Sequence, residues 1–268
     1  MLILRRGDKG PEVLSVQRAL LWAGQTPGLL DGDFGQGTEA AVKAWQRNAG
    51  QTPSGVADDA LRAALPRPAP PTAVVAGDGV LASVDLSVMR AVFPHTAERN
   101  ITLHLPFVLG GLKDFALTDR VMALVALATI RAETERFLPV DEAVSRYNTD
   151  PGGAPFGLYD RRADLGNQGP PDGERFRGRG FVQLTGRANY RRHGPLVGVA
   201  DLIDRPELAN DPWVAGCLLA SFLGSVTTRI RNAVAAGNLK VAREAVNGGS
   251  HGLDRFLAAY AAGAARLA

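Results

Sequence analysis

Residues 175–190 combine the residue types that a carbohydrate-binding cleft needs. The segment reads RFRGRGFVQLTGRANY, so glycines, arginines and uncharged polar residues surround a short apolar core. Gln183, Thr185 and Asn189 supply hydrogen-bond donors and acceptors that suit sugar hydroxyl and acetamide groups. The glycines let the backbone approach a ligand closely. By composition alone, a glycine-rich loop that enters a buried strand fits equally well.

Carboxylates after an apolar helical segment are the candidates for catalysis. Hydrolysis of a glycosidic bond needs a carboxylic acid that protonates the leaving oxygen and a second carboxylate that activates water or acts as nucleophile. Glu133 and Glu135 both follow the apolar segment at residues 121–130. Residue types alone do not decide which of the two is the acid. Glu142, with Asp141 as the alternative, follows Pro139, which interrupts a continuous helix and lets the chain turn back toward the first carboxylate.

Two motifs resemble family 19 glycoside hydrolases, the group that contains chitinases and phage endolysins. Residues 178–190 match the Gly-Arg-Gly-x-x-Gln-Leu-Thr-Gly-x-x-Asn-Tyr signature of that family. Residues 131–134 look like the His-Glu-Ser/Thr motif that carries the general acid, although Ala132 replaces the usual histidine. The resemblance therefore implies Glu133 as the acid, Glu142 as the second carboxylate, and an inverting mechanism.

The same resemblance implies roles for other residues. Thr185 looks like the threonine that helps to hold the nucleophilic water, and Arg243 is expected to pair with an active-site carboxylate. Asn247 lies in a late Asn-Gly-Gly motif whose asparagine contacts sugar, and Tyr147 belongs to an Asn-Tyr-like segment. Substrate-binding side chains are expected at Gln183, Asn189, Asn247, Arg243, Tyr147 and Arg179.

Residues 3–65 resemble the peptidoglycan-binding domain of many wall hydrolases. The motif Gly-Asp-x-Gly occurs at residues 7–10, and Gly-Asp-Phe-Gly recurs at 32–35; a helix-like segment follows each, with Thr38 as the expected N-cap of the second. A third short helix near residues 57–65 would complete a three-helix bundle. A generic helical dimerisation module is the alternative. The expected wall-binding residues are Asp31, Phe34 and Trp45, of which Trp45 fits the core equally well.

The segment PRPAPPT at residues 66–72 predicts an extended, semi-rigid spacer. We expect a peptidoglycan-binding domain at residues 1–65, a linker at 66–83 and a family 19-like catalytic domain at 84–268. The predicted fold class is mainly α, with a small three-helix wall-binding bundle linked to a larger α-helical, lysozyme-like catalytic domain. In that domain, helices are predicted at 86–93, from an N-cap at Thr118 to residue 132, at 213–230, at 240–246 and at 255–267, with a long loop at 150–175.

The net charge is only +3, but the arginines are unevenly placed. Residues 161–192 contain eight arginines against three acidic residues. Such a segment suits a polyanion, including the bacterial wall. No nucleic-acid-binding motif accompanies it, so we expect peptidoglycan and not nucleic acid as the partner. A solvated face with internal salt bridges is the alternative.

The cysteine and histidine content and the short apolar segments argue against a disulfide-stabilised protein, a metalloenzyme and a membrane-spanning protein. Cys217 is the single cysteine, so it forms no internal disulfide and is expected to be a buried, inert thiol. The four histidines show no metal-ligand spacing, and no metal or other cofactor is expected. The N-terminus lacks the apolar segment of a signal peptide, and residues 121–130 are too short to span a bilayer. We expect synthesis in the host cytoplasm, no stable membrane insertion, and action on the wall after holin-type release or dedicated export.

These features predict a modular endolysin, a peptidoglycan hydrolase. The expected cut is the β-1,4 bond between N-acetylmuramic acid and N-acetylglucosamine, made by acid/base catalysis, and the resemblance favours the muramidase (lysozyme) linkage over the glucosaminidase linkage. A phage and a bacterial origin both fit. A chitinase and a catalytically inactive wall-binding protein are the alternatives, the second suggested by Ala132. Nothing in the chain demands an oligomer, so a monomer is expected.

Overall fold

Helices build both parts of the molecule. The computed structural model describes residues 2–249 and 252–267 and divides into two compact units, Met1–Pro70 and Pro71–Ala268. Within the described residues, extended chain forms isolated β-bridges and no longer strand. The predicted mainly α fold class is therefore confirmed.

The first unit is a bundle of three helices around one apolar core. They are α1 (Pro11–Trp22), α2 (Gln36–Asn48) and α3 (Asp59–Ala64). Leu20, Val42 and Leu61, one from each helix, are buried in the shared core. Asp58 caps α3 by accepting a hydrogen bond from the backbone N–H of Leu61 at 2.8 Å. The predicted three-helix bundle is present.

Thr38 does not cap α2, in contrast to the prediction. The helix begins at Gln36 after Gly35, so Thr38 lies in its first turn, where it is buried. The hydroxyl accepts a hydrogen bond from the Gln17 side chain at 3.1 Å and donates to the carbonyl oxygen of Pro27 at 3.3 Å. The side chain therefore connects α2 to α1 and to the loop between them.

The second unit contains nine described α-helices. They are α4 (Leu86–Val92), α5 (Glu98–Asp114), α6 (Arg120–Glu133), α7 (Asp172–Arg175), α8 (Arg187–Leu196), α9 (Pro212–Ser225), α10 (Thr227–Ala235), α11 (Leu239–Asn247) and α12 (Leu253–Ala264). The core forms where α5 packs along α9 and α6 packs against α12. A Cβ atom on Gly111 would lie 2.6 Å from the carbonyl group of Gly216. Glycine at these two positions lets the backbones of α5 and α9 approach closely.

The sequence pattern does not predict α5, although it is 17 residues long. Pro106 lies inside it and removes one backbone donor, and Gly110 and Gly111 lower its intrinsic helix propensity. Val108 and Leu112 are completely buried in the core of the unit. Packing against the core therefore stabilises a helix that local residue preferences disfavour.

The helix α6 carries Glu133 to the edge of the core. Asp119 caps it by accepting hydrogen bonds from the backbone N–H groups of Val121 and Met122, at 3.1 and 3.2 Å, so the predicted cap at Thr118 is wrong by one residue. Residues 122–130 are all buried. Glu133 is the last residue of the helix, as the apolar pattern followed by a carboxylate predicts.

The helix predicted at 213–230 is two helices. The chain bends by 67° between α9 and α10, at Val226, and the Thr227 hydroxyl donates to the Leu223 carbonyl oxygen at 3.0 Å. Among the described residues, no single helix is long and apolar enough to cross a membrane; α9 and α10 reach that length and composition only as a bent pair.

Residues 71–83 belong to the second unit, although the sequence pattern assigns them to the linker. Lys113 donates to the Asp78 carboxylate at 2.8 Å and to the Ala73 carbonyl oxygen at 2.9 Å. The Thr72 hydroxyl donates to Asp114 at 3.1 Å, and Leu81 is completely buried. Proline content alone does not reveal these contacts, because they depend on α5, which the pattern does not predict.

Candidate active site

A cleft of about 860 Å³ opens on the second unit. Its walls come from the end of α6, the segment after it, the start of α8 and the end of α11. Seven of the predicted site residues line it: Glu133, Glu142, Tyr147, Gln183, Thr185, Asn189 and Asn247. The structure thus brings together residues that are more than a hundred positions apart in the sequence.

Arg243 holds Glu133 at the edge of the cleft. Its Nη2 donates to Oε1 of Glu133 at 2.7 Å, and the arginine is completely buried, whereas the glutamate side chain is 16% exposed. The Arg243 guanidinium also lies 6.0 Å from the ring centroid of Phe256. The expected partner of Arg243 is a carboxylate, and the structure pairs it with Glu133. The expected substrate contact of Arg243 is wrong, because a buried guanidinium is out of reach of a ligand.

Ala132, the residue before Glu133, is buried and forms no side-chain hydrogen bond to it. A Cβ atom on Gly252 would lie 3.3 Å from the Cβ atom of Ala132, so the chain packs closely over this position. The side chain that orients Glu133 therefore comes from α11 and not from the residue before it.

Three donors converge on the Glu142 carboxylate. Asn148 Nδ2 and the Tyr159 hydroxyl donate to Oε1 at 2.9 and 2.8 Å, and the Gly178 backbone N–H donates to Oε2 at 3.1 Å. Glu142 in turn donates its own backbone N–H to the Gly178 carbonyl oxygen at 2.8 Å. Burial raises the pKa of Tyr159, and the hydrogen bond to Glu142 raises it further, so the phenol stays a donor.

Residues 178–180, the GRG segment, pass close beside the Glu142 carboxylate because Gly178 has no side chain. A Cβ atom there would lie 2.9 Å from Oε1 of Gln183 and 3.2 Å from Oε2 of Glu142. Gln183 itself has φ 51°, in the left-handed region that costs a non-glycine residue about 1 kcal/mol. Its Nε2 donates to the carbonyl oxygens of Val140 and Gly180, both at 3.0 Å, and these bonds hold the side chain at the cleft.

Asp141, the alternative candidate for the second carboxylate, is not among the described residues that line the cleft. It pairs with Arg177 at 2.5 Å and with Arg179 at 2.9 Å, and it accepts a hydrogen bond from Asn210 at 2.7 Å. Burial acts to raise the Asp141 pKa, but the charges of Arg179 and Arg177 outweigh it and lower that pKa. Of the two carboxylates Glu142 lines the cleft, and its role as the second carboxylate stays a prediction.

Arg179 is a structural residue and not a substrate-binding one, so that prediction is wrong. Its side chain is 4% exposed. Besides the pair with Asp141, it donates to the Arg175 carbonyl oxygen at 2.8 Å and to the Tyr190 hydroxyl at 3.0 Å. The arginine of the GRG segment thus anchors the loop to the core.

The remaining predicted cleft residues present polar or aromatic groups. The Thr185 hydroxyl donates to the Gln183 carbonyl oxygen at 2.9 Å, and Asn189 Nδ2 donates to the Thr185 carbonyl oxygen at 2.7 Å. Asn247 ends α11, and its side-chain oxygen accepts the Gly249 backbone N–H at 3.0 Å. Tyr147 is 71% exposed, and the Arg146 guanidinium lies 4.9 Å from its ring centroid.

The predicted wall-binding residues of the first unit do not form one groove. Phe34 is 2% exposed in the core, so its assignment as a groove residue is wrong. Trp45 is half-buried and packs against the same core. Asp31 accepts hydrogen bonds from Gln17 at 3.3 Å and from the Asp33 backbone at 2.9 Å. A depression of about 490 Å³ lies elsewhere on this unit, between α1, α3 and residues 65–68.

Several residues at the cleft are not among the predicted site residues. Asn148 and Tyr159 hold Glu142; both lie in segments that resemble endolysin-type members, which implies loop-shaping or subsite roles but not a contact with Glu142. Phe222, Arg229 and Glu244 also line the cleft. They come from α9, α10 and α11, and only the packing of those helices brings them to the cleft.

The N-terminal unit is similar to a known domain family. Residues 9–65 match the family model described as a putative peptidoglycan binding domain, which confirms the predicted domain. No curated protein matches the chain. The chain is also similar to a solved structure of chitinase C from Streptomyces griseus HUT6037, with 19% identity, a TM-score of 0.48, and coverage of 76% of this chain and 80% of that one. A chitinase C mutant shows 18% identity and a TM-score of 0.49, with coverage of 69% of this chain and 92% of that one.

Proposed function

We propose that the protein is a family 19-type glycoside hydrolase that cleaves the β-1,4-linked glycan strand of peptidoglycan. One observation carries the proposal: Glu133 and Glu142 line the same cleft. The side chains of Gln183 and Thr185, from the QLTG motif at residues 183–186, and of Asn189 line it with them. The peptidoglycan-binding domain at residues 9–65 supports wall glycan as the substrate.

Glu133 acts as the general acid in this proposal. Arg243 holds its Oε1, and no described residue forms a hydrogen bond to Oε2, so that oxygen is available to the glycosidic oxygen of the leaving sugar. A buried arginine that fixes the carboxyl group also restricts its rotation, which favours a constant geometry for proton transfer.

Glu142 acts as the general base. Its hydrogen bonds from Asn148, Tyr159 and Gly178 all go to carboxylate oxygens, an arrangement suited to an ionised group that accepts a proton. Thr185 lines the same cleft and supplies a hydroxyl that can orient the attacking water. Attack of that water on the face opposite the leaving group inverts the anomeric configuration.

Four side chains are proposed to bind the sugar chain. Gln183 offers its side-chain oxygen as an acceptor, and the amides of Asn189 and Asn247 offer donors and acceptors for acetamido and hydroxyl groups. The exposed ring of Tyr147 offers an apolar face on which a sugar ring can pack. We further propose that the enzyme cleaves on the muramyl side and acts as a monomeric endolysin. It reaches the wall through holin-type release or export.

The first test is digestion of purified peptidoglycan, borohydride reduction of the products and mass spectrometry of the new reducing ends. Reduced muramic acid is the expected result and identifies a muramidase. Reduced glucosamine would move the cut to the other linkage. No new reducing ends, with binding to the wall retained, would mean a wall-binding protein without catalysis. Equal rates on colloidal chitin would favour a chitinase instead.

A further inference from the structure

Arg229, in the first turn of α10, is an exposed cation in the proposed glycan cleft. Among the described residues that line the cleft it is the one lysine or arginine. It forms no hydrogen bond or ion pair with another described residue, in contrast to Arg177, Arg179 and Arg187 of the basic segment, which pair with Asp141 or Asp172. The guanidinium is therefore available to an anionic group of a ligand.

The acidic residues of the cleft do not neutralise Arg229. Glu133 pairs with Arg243 at 2.7 Å, and Glu244 lies 3.9 Å from Lys240. Glu142 is satisfied by three uncharged donors. None of these carboxylates forms an ion pair with Arg229, so its guanidinium can pair with a carboxylate of the substrate through two parallel hydrogen bonds.

Arg229 also lines a second depression, of about 700 Å³, formed by the end of α9 with α10 and α11. Polar side chains of this depression include Ser225, Thr228, Asn232 and Asn238. Arg229 lies where the cleft and the depression meet, since it belongs to the walls of both. A linear glycan in the cleft with a branch in the depression would place the branch beside this guanidinium.

Peptidoglycan has such a branch, whereas chitin does not. Each muramic acid carries a lactyl group, and the attached peptide stem ends in free carboxylates. We infer that Arg229 binds a carboxylate of the peptide stem and that the depression beside it holds the stem. The inference rests on the proposed function and adds a determinant that distinguishes peptidoglycan from chitin.

The test compares Arg229→Gln and Arg229→Lys with Arg191→Gln. Arg191 is an exposed arginine of α8 that lines neither the cleft nor the depression, so its variant controls for loss of one positive charge. Steady-state kinetics are measured on intact soluble peptidoglycan fragments, on the same glycan after removal of the stems, and on a chitin tetramer. Thermal unfolding of each variant verifies the fold.

Loss of the charged hydrogen bonds is expected to lower kcat/KM of Arg229→Gln about tenfold on intact fragments, mainly through KM. Arg229→Lys is expected to retain much of the activity, and both variants are expected to match wild type on stripped glycan and on the chitin tetramer. An equal loss on stripped glycan would place the carboxylate on the lactyl group and overturn the assignment to the stem.

Three other results separate this inference from the proposed function. If wild type cleaves peptidoglycan and Arg229→Gln behaves like Arg191→Gln on every substrate, the inference is wrong while the function stands. A uniform loss on all three substrates would also overturn it, because the chitin tetramer offers no carboxylate. If wild type produces no new reducing ends from any substrate, the proposed function itself fails.

Discussion

Arg243 and Glu133 form an ion pair across 110 positions of the sequence, and the arginine is completely buried while the glutamate lines the cleft. The pair joins the end of α6 to α11. Removal of one partner from such a pair leaves the other without compensation, which is costly at a buried site. The same contact therefore stabilises the fold and positions the proposed acid.

Arg243→Met is expected to reduce both stability and activity. The free energy of unfolding should fall by about 3 kcal/mol, because Glu133 loses its charged partner at a mostly buried position. Urea unfolding and release of reducing ends measure the two effects. Arg255→Gln is the matched control: it breaks the surface pair with Glu135, whose side chains are 39% and 55% exposed, and should cost under about 1 kcal/mol. Equal destabilisation by both variants would contradict the role given to Arg243.

Glu133→Gln is expected to lower the rate of peptidoglycan hydrolysis by about 10³-fold, because the amide cannot donate the proton that the leaving oxygen needs. Glu135→Gln, two residues on, pairs only at the surface and should retain wild-type activity. Binding to isolated walls should be unchanged in both, since residues 9–65 are intact. Retention of full activity by Glu133→Gln would remove it from the proposed mechanism.

Tyr159→Phe tests the hydrogen bonds that hold the proposed base. The hydroxyl donates to Oε1 of Glu142 at 2.8 Å, and its loss leaves Asn148 and Gly178 as the remaining donors. A roughly tenfold fall in kcat with little change in KM is expected. Tyr260→Phe removes a hydroxyl from a buried tyrosine of α12 outside the cleft and should not change kcat. Identical kinetics of the two variants would argue against a catalytic position for Glu142.

The elements that can be predicted from the sequence are those with a strong local residue pattern. An apolar segment that ends in a carboxylate predicts α6 with Glu133 at its end, and the GRG and QLTG motifs predict a polar cleft by resemblance. The placement of Glu142 in the same cleft as Glu133 does not follow from spacing alone. It depends on the hydrogen bonds between Glu142 and Gly178, which join two segments 36 residues apart.

The errors share a physical cause, because burial depends on tertiary packing that local patterns do not show. Arg179 belongs to a polar motif, yet its side chain is buried because it pairs with Asp141 and donates a hydrogen bond to the Tyr190 hydroxyl. Phe34 follows a glycine-aspartate turn and fills the core of the first unit instead of a surface groove. In α5, Pro106 suggests a break, but packing on α9 maintains the helix.

His193 is expected to make stability depend on pH. Burial, with a smaller contribution from Arg192, lowers its pKa from 6.5 to about 4. Between these values the unfolded chain binds more protons than the folded protein, so stability falls as pH decreases from about 6.5 to 4, by about 3 kcal/mol from this group. Urea unfolding of wild type and His193→Gln at pH 7 and pH 4.5 should show a smaller loss in the variant. Equal losses would contradict the assignment.

Truncation tests where the second unit begins. A chain of residues 71–268 should fold cooperatively and retain its proposed activity on soluble glycan fragments, while wall binding weakens through loss of residues 9–65. A chain of residues 84–268 is expected to be less stable, because it lacks the Asp78 pair with Lys113 and the completely buried Leu81. Burial of one leucine contributes about 2 kcal/mol, which denaturant unfolding resolves. Equal stability of the two chains would show that residues 71–83 act as a spacer, as the proline pattern predicts, and failure of the longer chain to fold would contradict the division at residue 70.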